Sequence, residues 1–182
     1  MKTNIPALPK KKNTSGILIA IYPNHRGMGF VVCEHPNDIL NYGIGKFRLL
    51  SPNNYVKRLT KFIKYYRPEI IILKGYNDAS NTISKRVKKV IDQLELEAIK
   101  QDLNVFRYRR SEVAKVFANF GETNKYGISR TLAKLYPDLK KFLSPLRTFT
   151  MSEDYHMGIF DAFGLMYTHQ VLTGKIEIKH ED

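Results

Sequence analysis

The chain has 182 residues, 43% of them hydrophobic, which fits one globular domain with a sizeable core and leaves two full domains cramped. Its formal charge of +13 points to a polyanionic partner, nucleic acid ahead of an anionic membrane surface. No apolar run approaches the roughly 20 residues of a membrane span, and the single cysteine, Cys33, rules out an internal disulfide.

Residues 1–15 hold two prolines and Lys10-Lys11-Lys12, and read as a flexible basic tail. The tail has charges but no apolar stretch of the secretory kind, so a cytoplasmic protein is expected. Ser15 to Cys33 then reads as strand, tight turn, strand. Ile17 to Tyr22 is apolar and β-branched, Pro23 to Gly27 break it, and Met28 to Cys33 is apolar again. The first run is nearly continuous, the pattern of a strand covered on both faces. Cys33, at the end of the second, is expected to be a buried inert thiol.

Asn41 to Leu49 gives a third strand with glycine irregularities. Ser51-Pro52 opens a helix whose apolar face is Val56, Leu59, Phe62, Ile63 and Tyr66, stopped by Arg67-Pro68. Glu69 to Leu73 is the clearest buried strand. A loop at Lys74 to Asn77 leads to a long helix, about Asn81 to Gln101, with a stripe from Ile83 to Ala98. Asn104 to Tyr108 is a fifth strand. Ser111 caps a helix ended by Gly121, and a further helix runs from Lys125 to Leu135. Ser152 is expected to cap the last helix, which runs to Leu172 and ends at Gly174. Three strands, then alternating helix and strand, then helices, imply a mixed α/β sheet with helices on both faces.

Three stretches resemble the RuvC-type Holliday junction resolvases of the RNase H-like superfamily. In Ile17 to Val32, Pro23 and Gly29 match the opening strand and turn; Tyr22 stands where the family places Asp, and Asn24 where it places Gly. Pro68 to Gly75 resembles the fourth-strand segment, with Lys74 or Gly75 where a catalytic Glu is expected. Phe160 to His169 resembles the final helix: Asp161, Ala162, Thr168 and His169 match, and Gly158 replaces a further Asp. Glu112 to Leu135 resembles the family's Lys-containing helices more weakly. The resemblance implies an RNase H-like domain over residues 16–182, a five-stranded mixed sheet, DNA as partner and a homodimer. The Ile83–Ala98 helix is one candidate dimer surface; a monomer burying that helix on its own sheet explains the stripe equally well.

Family members of this type use two Mg²⁺ held by converging carboxylates. Here Asp161 alone survives, with Tyr22, Lys74 and Gly158 at the lost acid positions. The phenol of Tyr22 is a poor Mg²⁺ ligand, and the Lys74 ammonium repels a cation. The expectation is therefore a binder of DNA, branched DNA included, with a degenerate metal site, no cofactor and no cleavage. Lys74 is expected to pair with Asp161, unless it simply reaches solvent. The alternatives are a Mg²⁺- or Mn²⁺-dependent endonuclease, and a basic module for a protein or RNA partner. The endonuclease would use a displaced metal cluster of Asp78, Asp154 and Asp161, in which Asp154, seven residues before Asp161, shares its helical face. Nucleic-acid contacts are expected from His25, Arg26, Lys74, Tyr76, Arg107, Arg109, Arg110 and Lys125, with Tyr22 and Tyr108 interleaved as rings that stack on bases. No histidine or cysteine spacing matches a zinc site, and no phosphate-binding Gly-rich loop is present.

Overall fold

The computed structural model describes residues 16–25, 27–35, 38–47, 51–77, 83–145 and 154–177. The basic tail, Arg26, Asp78 and Ser152 lie outside these. Five strands form one sheet in the order β3-β2-β1-β4-β5. They are β1 (Leu18–Asn24), β2 (Gly27–His35), β3 (Asp38–Lys46), β4 (Ile70–Lys74) and β5 (Asn104–Tyr108). β1, β2 and β3 pair antiparallel, while β4 runs parallel to both β1 and β5. Five α-helices complete the described fold: α1 (Pro52–Tyr66), α2 (Lys85–Lys100), α3 (Arg110–Phe117), α4 (Lys125–Leu135) and α5 (Met157–Leu172).

Strand alternation divides the core in two. Ile19, Ile21, Ile71 and Leu73 point to one face, where they pack with Leu59 and Phe62 of α1 and Val90, Leu94 and Ala98 of α2. Leu18, Ala20 and Ile72 point to the other, against Phe160, Phe163 and Tyr167 of α5. β1 is thus covered on both sides, as its continuous apolar run requires. The α2 stripe is buried against the protein's own sheet. α5 is apolar almost all round because α3 and α4 close over it.

Two helices begin later than their sequence pattern implies. α2 starts at Lys85, where the Ser84 hydroxyl accepts a bond from the Val87 amide at 3.3 Å. α5 starts at Met157, because Asp154 spends its side chain on the turn before it: Oδ1 accepts from the His156 amide at 2.6 Å and lies 3.0 Å from His156 Nδ1. β3 is displaced to Asp38–Lys46.

α5 comes very close to β2. A Cβ on Gly29 would lie 1.9 Å from the carbonyl oxygen of Gly158. Helix backbone rests directly on strand backbone there, and both positions are glycine. Further along α5, His169 is 1% exposed, with Nδ1 2.9 Å from the Tyr108 hydroxyl. Burial, aided by the charge of Lys175, pushes its pKa down from 6.5 to about 4. The unfolded chain therefore takes up a proton across this window that the folded protein refuses. Stability is complete above about pH 6.5 and falls as pH drops toward 4, by about 2–3 kcal/mol from this group. His169→Gln is expected to flatten that part of the profile; thermal melts between pH 7 and pH 4.5 check it, and an unchanged slope would contradict the assignment.

Candidate functional site

β1, β4 and β5 are parallel, so their C-terminal ends lie together, and a cavity of about 700 Å³ opens there. Tyr22, Asn24 and His25 bring one wall from the end of β1; Lys74, Gly75, Tyr76 and Asn77 bring another from β4. Tyr108 to Ser111 line it between β5 and α3. Lys125 and Ile128 of α4, with Phe160, Asp161 and Gly164 of α5, close the remaining side. The alternation that buries Ala20 and Ile72 under α5 turns Tyr22 and Lys74 to that same face, two residues further along each strand.

Asp161 is 12% exposed at its side chain, and Lys125 Nζ lies 2.8 Å from Oδ2. Two ammonium groups approach the Tyr22 ring: Lys74 Nζ is 4.3 Å from its centroid and Lys125 Nζ is 5.7 Å. The ammonium at contact distance from the acid comes from Lys125 of α4, while Lys74, the partner that the resemblance implied, lies against the Tyr22 ring. Lys125 is the first residue of α4, where Asn124 caps the helix by accepting from the Gly127 amide at 2.9 Å. A cation is unfavourable at a helix N-terminus. Lys85 of α2 and Arg110 of α3 share that position, so it does not single Lys125 out.

Of the other expected contacts, His25, Lys74, Tyr76, Arg109 and Arg110 line the cavity. Arg107 does not. It alternates with Tyr108 and points to the opposite face, where it pairs with Asp92 at 2.9 Å and with Glu95 on α2. Tyr76 is tethered to the same acid, its hydroxyl donating to Asp92 Oδ1 at 2.5 Å. Burial by itself raises the Asp154 carboxyl, but bonds from Ser144 and His156 outweigh it and hold the group below its usual range. Asp154 precedes α5 and so cannot share a helical face with Asp161. Gly158 is buried against Gly29 and Asn24.

Among the described residues, no set of carboxylates is placed to hold a pair of divalent ions. Mg²⁺ needs several hard oxygen ligands around it. Asp161 has instead an ammonium at contact distance, and among the described residues no three His, Cys, Asp or Glu side chains are grouped to hold a metal. Lys74, Lys125, Arg109 and Arg110 outnumber Asp161 in the cavity lining, even with Arg109 Nε paired to Glu112 at 3.2 Å, and a net positive lining suits an anion.

The topology and mixed sheet define an α/β fold of the RNase H-like class, and within it the fold is RuvC-like. RuvC of Thermus thermophilus superposes with a TM-score of 0.62 at 14% identity, covering 87% of this chain and 97% of that one. The same protein solved in complex with a Holliday junction substrate gives 0.61 at 14% identity, over 87% and 94% of the two chains. The yeast mitochondrial Holliday junction resolvase gives 0.52 at 12% identity, over 92% and 84%. No protein-family model matches the sequence. No curated protein matches it either. No helix among the described residues is long and apolar enough to cross a membrane.

Proposed function

We propose that this chain is a RuvC-like nucleic-acid-binding protein that takes DNA, branched DNA included, at the basic cavity and does not cleave it by two-metal chemistry. The observation that carries this reading is the Lys125–Asp161 contact at 2.8 Å. An ammonium stands where a cation would have to sit beside the surviving acid. The displaced-cluster alternative loses support because Asp154 is committed to His156 ahead of α5. DNA is favoured by the cations around the cavity mouth, by the net charge of +13, and by the Holliday junction substrate bound in one solved neighbour.

Gel shifts on a synthetic four-way junction, with salt varied, test the binding half. Arg109→Glu/Arg110→Glu is expected to weaken binding at least about tenfold and to lower the log-affinity against log-salt slope by about two. Unchanged affinity and slope would place the DNA elsewhere. Incubation of the same junction with Mg²⁺ or Mn²⁺ tests the other half. Intact DNA is expected; cleavage that Asp161→Asn abolishes would overturn the non-cleaving reading.

A further inference from the structure

A second cluster of cations and rings lies on α1, away from the cavity. α1 ends at Tyr66, and Arg67-Pro68 lead into the N-terminal end of β4, whereas the cavity sits at that strand's C-terminal end. Arg58, Lys61, Phe62, Lys64, Tyr65 and Tyr66 line a groove of about 540 Å³ with no acid among them. Tyr65 is 79% exposed, the most open of the large hydrophobic side chains among the described residues. It does not hang loose. Its ring meets Tyr66 edge-on, with centroids 4.7 Å apart, and the Tyr66 hydroxyl is held by Asn41 of β3 at 2.6 Å. The Arg58 guanidinium lies over Phe62, 5.1 Å from its centroid.

We propose that this face of α1 is a binding site for single-stranded nucleic acid, separate from the cavity. A helix face whose only demand were solubility would carry the lysines without Tyr65. A duplex presents phosphates to such a face and keeps its bases stacked, so it has no use for the ring. An unpaired strand uses both: a base stacks on Tyr65 while Arg58, Lys61 and Lys64 take the flanking phosphates. The charge complementarity is one-sided because the groove lining holds three cations and no carboxylate. A protein with both sites holds a branched or partly opened substrate at two places, the duplex at one end of the sheet and the loose strand at the other.

Fluorescence anisotropy with a labelled oligo-dT of about 16 nucleotides tests this on the full chain. Tyr65→Ala is expected to weaken binding about tenfold, Tyr65→Phe to preserve it, and Lys61→Glu/Lys64→Glu to weaken it with a reduced salt slope. The loss in the α1 variants is expected to persist in an Arg109→Glu/Arg110→Glu background, which removes the share of oligo-dT held at the cavity. The proposal fails if both α1 variants stay within about twofold of the wild type. It fails equally if only the cavity variant loses the oligonucleotide, or if polyglutamate competes as well as oligo-dT. A change of elution volume in Tyr65→Ala with oligo-dT binding intact would make the face a contact between copies, and also overturns it.

Discussion

Gly29→Ala is expected to destabilise the protein by at least about 3 kcal/mol, lowering the melting temperature by about 10 °C or preventing folding altogether. The added methyl would stand 1.9 Å from the Gly158 carbonyl oxygen and 2.4 Å from its carbon. Both are backbone atoms, so no side chain can turn aside. Relief requires α5 to lift from β2, and α5 is the helix that carries Asp161 and supplies much of the core on that face of the sheet. Gly164→Ala is the control. Its methyl meets Val113 Cγ1 at 3.4 Å and gains helix propensity, so the change should stay within about 1 kcal/mol. Melting both variants by circular dichroism checks the pair; equal melting temperatures would mean that α5 does not sit on β2 as described.

β1, β4 and β5 were readable because short β-branched runs between breakers have few other uses. Their shared C-terminal edge is what the family resemblance implies. The start of α5 was not readable. Asp154, His156 and Phe160 continue a helical spacing backward, and only the bonds from Asp154 to His156 reveal that the residues before Met157 form a turn. Arg107 was misplaced for a different reason. Period-two alternation puts it opposite Tyr108, on the α2 face with Asp92 and Glu95, and that rule was available from the sequence. Lys125 is the instructive case. Nothing local says that the first residue of α4 reaches an acid on α5, because that meeting depends on how two helices cross over the sheet. Its unfavourable place in the α4 dipole is no guide, since Lys85 of α2 and Arg110 of α3 stand in the same position.

Lys125→Ala should therefore separate the two ways of reading the cavity. Removing the ammonium leaves Asp161, 12% exposed, without the cation at its Oδ2. Breaking a fully buried pair costs about 3–5 kcal/mol; Lys125 is 26% exposed, so solvent screens part of the loss and about 1–3 kcal/mol is expected. That corresponds to a melting temperature lower by about 2–4 °C per kcal/mol. Asp161→Asn should cost less, since the freed lysine can extend toward water on its flexible stem. The double variant Lys125→Ala/Asp161→Asn should recover most of what Lys125→Ala loses, because the carboxylate that lost its cation at 2.8 Å is then neutral as well. Mg²⁺ should restore nothing to Lys125→Ala: one carboxylate leaves most of an octahedral shell to water. Thermal melts of the three variants with and without Mg²⁺ decide the matter. If Asp161→Asn is as damaging as Lys125→Ala, the pair is not what holds this corner. If Mg²⁺ rescues Lys125→Ala, further oxygen ligands stand near Asp161, and the lysine is a gate on a working metal site instead of its replacement.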